Sequence, residues 1–263
     1  MLSRDELSAI LACPVCRADL ELPDGPEARC AVCETPYRRL AHAWDLTPPR
    51  ERWSQGTWEA WEQLQANGDV SYREDPEHNL GVGDRDDYLA FSAFAELNGL
   101  VLDVGCGPQP WPTHFSRREP DTRFVGVDPL VGEQEARYTQ IRALAEYLPF
   151  AGDVFDHVVF ATSLDHFVDP TEALREARRV VAADGAVDVW VGHKSADAPV
   201  RADSPQWYRG LVRPQGAEDV FHIKRLDGTE SEELFERAGL SVARAHTQPV
   251  DEFRENRFYS LVP

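Results

Sequence analysis

Lysine is nearly absent from this 263-residue chain: only Lys194 and Lys224 occur, the other 25 basic residues are arginine, and 46 acidic side chains leave a formal net charge of -19. A protein that held polyanions by neutralising their phosphates would present a basic face, so this balance disfavours nucleic acid as a partner. There is no run of about 18 apolar residues, which removes a hydrophobic membrane span. The stretch MLSRDELSAILACP has neither the basic start nor the uninterrupted apolar core of a secretory signal, and a cytoplasmic location is expected. With 42% hydrophobic and 28% charged residues the composition is that of a folded globular chain, and the length suits one or two domains.

Cysteine is scarce too, yet four of the five form two pairs, Cys13-Pro-Val-Cys16 and Cys30-Ala-Val-Cys33, separated by 13 residues. Two residues inside each pair let a tight turn aim both sulfurs at one ion, and four thiolates satisfy tetrahedral zinc. The intervening ADLELPDGPEA reads as a short strand and a Pro/Gly turn that returns the chain to the metal. Two disulfides are the alternative, which a reducing compartment disfavours. A segment of some 50 residues buries little core, so a structural Zn2+ with no open position would stabilise it directly. The stiff Pro48-Pro49 exit places a boundary near residue 50.

Residues 51–98 read as a helical linker or cap. Trp53, Trp58 and Trp61, then DDYLAFSAFAEL, carry helical spacing, better suited to packing than to closing a ligand pocket, while ANGDV and EDPEHNLGVGDRD read as loops. From 99 to 263 apolar runs alternate with helical patterns: LVLDVG, RFVGVD, HVVFATS and AVDVWVGH as strands, PTEALREARRVVAADG as a helix opened by Asp169-Pro170 and closed at Gly185, DGTESEELFERAG as a last helix, and SVARAHTQ and NRFYSLVP as closing strands. Such alternation argues for an α/β fold, a mostly parallel sheet covered by helices on both faces. Residues 194–226 interrupt it with an irregular insert bearing Trp207, Tyr208, Arg201, Arg209 and Arg213, the kind of segment that serves as a lid.

The turn in VLDVGCGP sets Asp103 at a strand end, then Gly105, Cys106 and Gly107 before a helix expected near 111–118. Glycines there admit a ligand at the carboxyl edge of the sheet. A dinucleotide loop would need a third glycine where the chain has Pro110, and a diphosphate would meet Asp103 two residues before the first glycine. A cofactor with cationic groups fits better, as S-adenosylmethionine does through its sulfonium and ammonium. Asp128, 21 residues past Gly107 at the end of the next strand, can accept ribose hydroxyls.

On these motifs residues 99–262 resemble the class I S-adenosylmethionine-dependent methyltransferases of the type 11 kind, with VLDVGCGP, FVGVDP and AEYLPFAGDVFDHVVFATSLDHFVDP as successive motifs. The resemblance implies a doubly wound, seven-stranded, Rossmann-like sheet. It implies that Asp103, Gly105 and Gly107, with Cys106 among them, hold the methionine end, that Asp128 beside Pro129 takes the ribose, that Ala145 and Glu146 lie along the adenine, and that Thr162 and Ser163 line the floor. Leu144 stands where many relatives carry an aspartate for the adenine amino group, which implies adenine held by backbone and apolar contact. Residues 11–48 resemble the zinc ribbon of the small activator subunit of tRNA and translation-factor methyltransferases, also found fused ahead of methyltransferase domains.

Methyl transfer needs alignment, and a base only when the acceptor must lose a proton. His166, oriented by Asp165, is the candidate base after the fourth strand, with a helix-start histidine as the plainer reading. His193 is a second candidate and His222 a weaker third. A small molecule or glycan is the expected acceptor. Methylation of ribosomal RNA guanine, by enzymes that also begin with four cysteines, is the alternative opposed by charge; a cofactor-bound scaffold whose ribbon recruits a partner is a third reading. A homodimer is left open.

Overall fold

The computed structural model describes residues 1–79, 85–195, 197, 205–226 and 228–263. Arg201 and part of EDPEHNLGVGDRD lie outside the described residues, as does part of the insert. The amino-terminal turn is the short helix α1 (Arg4–Ser8), closed by a reciprocal Ser3–Glu6 capping box. The ribbon follows as strands β1 (Glu27–Arg29), β2 (Pro36–Arg39) and β3 (Trp44–Asp45). Helices α2 (Gln55–Glu74), α3 (Pro76–Asn79) and α4 (Asp86–Ala95) form the cap region. Strands β4 (Leu100–Val104), β5 (Arg123–Val127), β6 (Thr139–Arg142) and β7 (Phe155–Ala161) come next. Helix α5 (Pro170–Val180), strand β8 (Val181–Lys194), helix α6 (Gly228–Ala238) and strands β9 (Ser241–Pro249) and β10 (Arg254–Val262) complete the chain.

All ten strands join one sheet in the order β1-β2-β3-β6-β5-β4-β7-β8-β10-β9. The expected seven are its centre and far edge; the other three are the ribbon's, because β3 pairs in parallel with β6 through Trp44–Ile141 and Asp45–Arg142. β6 itself, hidden in polar TQIR, is a strand that apolar runs do not reveal. From β6 across to β8 the pairings are parallel, and β10 and β9 are antiparallel.

Alternation along the central strands separates two cores. Leu100, Leu102 and Val104 of β4, Val158 and Phe160 of β7, and Val187, Val189 and Val191 of β8 point with α5, α6 and the ribbon residues Leu11, Tyr37, Trp44 and Leu46 into one core. Val101, Val159, Trp190 and Phe258 point the other way, onto Phe91, Phe115, Phe124 and Tyr138.

That second face departs from the expected double winding. The helix expected at 111–118 is only a 3-10 turn, Thr113–Phe115. Pro108, Pro110 and Pro112 remove amide donors at alternate positions and push each preceding residue out of the helical region. Rings fill the space instead: Phe115 stacks on Phe124 at 3.7 Å between centroids, with Trp111 edge-on to both at 5.5 and 5.6 Å. Two further expectations change. ANGDV lies inside α2, where Asn67 anchors the helix by its side chain. Gly185 does not close α5, which ends at Val180 and passes straight into β8, and a Cβ at Gly185 would meet the Asp156 carbonyl at 2.7 Å. The amino-terminal end of α5 is as expected, Asp169 accepting from the Glu172 amide with Pro170 in the first turn.

Candidate active site

The carboxyl ends of β4, β5 and β7 open on a cavity of about 330 Å³, within the size range of small-molecule sites. Its floor is the turn after β4. Gly105 and Gly107 adopt φ of +79° and +66°, and a Cβ on them would fall 2.5 Å from Ser163 Cβ and 2.9 Å from Tyr72 Oη. Both glycines are therefore required by backbone conformation and by space. Ser163 itself is fixed by donating to the Val104 carbonyl at 2.6 Å. Thr162, at the end of β7, carries φ +59°, strain in a β-branched residue that marks the rim of the site.

Two carboxylates lie beneath this turn. Asp128 accepts from the Gly107 and Leu130 amides at 3.0 and 2.8 Å, and burial raises it to about 6, so it is an anion at neutral pH with lone pairs to spare. Asp103, 1% exposed, meets His114 Nε2 through one oxygen at 3.1 Å. Its other oxygen, Oδ1, is buried without a hydrogen-bond partner among the described residues, and so is Gln109 Oε1. An orphaned buried carboxylate oxygen implies a missing cationic or donor group. His114, the orienting partner, was not visible in the sequence, since WPTHF gave no sign that its ring would reach back eleven residues.

Cys106, Asp128, Pro129, Leu144, Ala145, Glu146, Thr162 and Ser163 all line the cavity with Gly105. Burial, reinforced by both carboxylates, pushes the Cys106 thiol well above the usual range. Glu146 is raised to about 7 by burial and accepts from the Val168 and Asp169 amides at 3.0 and 3.2 Å, tying the wall to the segment that starts α5.

The roof comes from α2, α4 and the insert. Trp61, Leu64, Gly68 and Tyr72 of α2, Tyr88 of α4 and Phe221 face the cavity. Trp53, Trp58 and Trp61 pack with ring centroids within 6.0 Å of one another, and Tyr147 lies 5.9 Å from Trp53, so the tryptophans both pack and, through Trp61, close the pocket. Asn67 donates to the Val212 and Val220 carbonyls at 2.7 and 2.6 Å, fastening α2 to the insert. Arg209 and Arg213 point to solvent.

His166 lines the cavity, and Asp165 and His222 stand beside it. His193 is not brought there: it sits in β8 opposite Glu255 of β10. In the ribbon, no cysteine is in a disulfide, and the four sulfurs converge, with Cys13–Cys33 at 3.6 Å and Cys16–Cys30 at 3.5 Å. Four thiolates about 2.3 Å from a tetrahedral ion stand roughly 3.8 Å apart, so the donor set fits zinc.

Known proteins bear on this geometry. A family model for a methyltransferase domain matches residues 77–245, more than half of the chain. The chain belongs to this methyltransferase family. An uncharacterized methyltransferase of Schizosaccharomyces pombe is 29% identical over 111 residues, 36% of this chain, and the match spans only 40% of that relative's length. Among solved structures, a Burkholderia thailandensis 1,6-didemethyltoxoflavin-N1-methyltransferase with 1,6-didemethyltoxoflavin and S-adenosylhomocysteine bound aligns over 94% of this chain and 100% of its own, with TM-score 0.57 and 15% identity. A chain of the complex between the Haloferax volcanii Trm112 methyltransferase activator and a methyltransferase aligns over 73% and 96%, with TM-score 0.50 and 16% identity. At such identities the likeness is one of fold.

Proposed function

We propose that the protein is an S-adenosylmethionine-dependent methyltransferase acting on a small-molecule or glycan acceptor, with a structural zinc ion in its ribbon. The observation that carries this reading is the Asp103 Oδ1, buried without a partner among the described residues under a glycine turn, with Asp128 at the end of the adjacent, directly paired strand. A diphosphate would be repelled by that pair, whereas a sulfonium–ammonium ligand would complete it. When bound, the cofactor supplies a methyl group on a positively charged sulfur; the acceptor's lone pair forms the new bond and the C–S pair returns to sulfur.

The chain's own residues then have separable tasks. Asp103, held in orientation by His114, receives the ammonium. Asp128 keeps free lone pairs for ribose hydroxyls while its remaining ones hold the turn. Leu144, Ala145 and the backbone face the adenine. Trp61, Tyr72, Tyr88 and Phe221 exclude water above the transferring group, which strengthens alignment and electrostatics alike. The ribbon braces β6: beyond the β3–β6 pairing, Arg17 donates to the Leu148 carbonyl at 2.9 Å and pairs with Glu176 at 2.8 Å.

Titration calorimetry tests the reading. S-adenosylmethionine is expected to bind and reduced nicotinamide dinucleotide is not, and Asp103→Asn is expected to weaken the former by about 10- to 100-fold, the range of one charge-assisted hydrogen bond. Tight binding of the dinucleotide with no response to the sulfonium would overturn it.

A further inference from the structure

We infer that Asp165, His166 and His222 form a site for one divalent transition-metal ion at the mouth of the cleft, whose open positions take an oxygen of the acceptor. One nitrogen of each imidazole and one carboxylate oxygen of Asp165 all lie within 4.8 Å of one another. His166 Nε2 stands 3.9 Å from one Asp165 oxygen and His222 Nε2 stands 3.5 Å from the other.

The tautomers can be read from the outer ring. His166 Nδ1 lies 3.2 Å from the Phe221 carbonyl, which can only accept, so Nδ1 carries the proton and Nε2 the lone pair. His222 Nδ1 donates to Asp219 Oδ1 at 2.7 Å, leaving its Nε2 lone pair free as well. Asp219 is in turn held by Arg225 at 2.8 Å. Two imidazole lone pairs and a carboxylate therefore converge, with the rings tilted at 32° and 4.2 Å between centroids, an arrangement that repels itself unless a cation sits between. Histidines steered from behind by a carboxylate and a carbonyl are what metal ligation uses. Two nitrogens and one carboxylate oxygen, with remaining positions open, suit Zn2+, Co2+ or Fe2+. At metal–ligand distances near 2.1 Å the donors would stand about 3.0 to 3.4 Å apart, so the Asp165–histidine pairs close by up to about 1 Å and the widest pair by up to about 1.8 Å, with exposed His166 the ligand that moves.

The site lies where the acceptor must enter, between Phe221 and His166 on the cavity wall. It therefore selects acceptors offering a hydroxyl or carboxylate oxygen. This role in catalysis rests on the methyltransferase reading; the site itself rests on the cluster.

The test is a titration of the full chain, its ribbon filled with zinc, with Co2+ alone, read by visible absorption. One Co2+ per chain is expected, without thiolate charge-transfer bands, and His166→Ala or Asp165→Asn should lower its affinity at least tenfold. Asp219→Asn, which touches no metal, should lower it about 10-fold or more by releasing His222, with an unchanged circular dichroism spectrum showing that the fold is kept. No Co2+ bound by the wild type beyond the His166→Ala level would overturn the inference and leave a proton as the shared cation. S-adenosylmethionine is titrated into the same samples: binding of the sulfonium without Co2+ defeats only the metal site, and binding of Co2+ without the sulfonium defeats only the methyltransferase reading.

Discussion

The floor and the roof of the cleft are built on different physical terms. The floor is backbone: glycines with positive φ, amide donors to Asp128, and strands locked by pairing on both sides. The roof is side chain: rings from α2 and α4, and an insert held by Asn67. A floor of this kind tolerates no added atom, whereas a roof of side chains can give. A ligand that is the same for every turnover belongs on the first, and an acceptor that differs between enzymes belongs against the second.

The sharpest way to break the comparison is a single methyl group. Gly105→Ala places a Cβ 2.5 Å from Ser163 Cβ, which is tied to Val104, and forces a left-handed φ of +79° on an L-residue. Cofactor affinity measured by calorimetry is expected to fall more than about 100-fold. The same change in the roof goes the other way. Gly68 is in the middle of α2, and a Cβ there meets Leu130 at an ordinary 3.4 Å, so Gly68→Ala should stabilise the fold by up to about 1 kcal/mol in denaturant titration.

Glu146 stands in the cavity wall, tied to the segment that starts α5, and its titration sharpens the contrast. Burial raises it from an ordinary 4.5 to about 7, so the folded chain holds this proton more tightly than the unfolded chain does. The carboxyl is thus harmless below about pH 4.5, and its penalty grows as pH rises to about 7 and is complete above it. Glu146→Gln keeps an oxygen for the Val168 and Asp169 amides and removes the charge. Urea unfolding should show the variant about equal to wild type near pH 4 and more stable at pH 8, by up to about 3 kcal/mol at 1.36 kcal/mol per unit. An equal difference at both pH values would show that charge is not the cause. Asp128 titrates in both proteins and drops out of the difference.

The floor was legible in the sequence because its constraints are local. VLDVGCGP carries strand, carboxylate and glycines within eight residues, and of these Gly105 and Cys106 line the cavity with Asp103 buried beneath, whereas His193, named only from its position at another strand's end, is not brought there. The roof was not legible. Asn67 finds its partners 145 and 153 residues away, His114 reaches Asp103 across a turn that three prolines deny to a helix, and Tyr72 meets Gly107 only once α2 lies over the sheet. The ribbon was visible through its cysteines, but its continuation of the sheet depends on β6, whose polar TQIR gives no apolar signal. Long-range side-chain contacts leave no period in a sequence; turns and strands do.

A change at Asn67 separates floor from roof most cleanly. Asn67 makes two hydrogen bonds to the insert and accepts a third from Gln63 at 3.0 Å, all from a buried side chain. Asn67→Ala strands the Val220 carbonyl, while Val212 is exposed and its carbonyl can be met by water, so the loss should be about 1 to 2 kcal/mol in stability. With α2 and the insert uncoupled, KM for the acceptor is expected to rise about tenfold. The affinity for S-adenosylmethionine, held by the strand ends beneath, should stay within about twofold. Should both constants worsen together, the cleft behaves as one rigid wall, and the division of labour between backbone floor and side-chain roof fails.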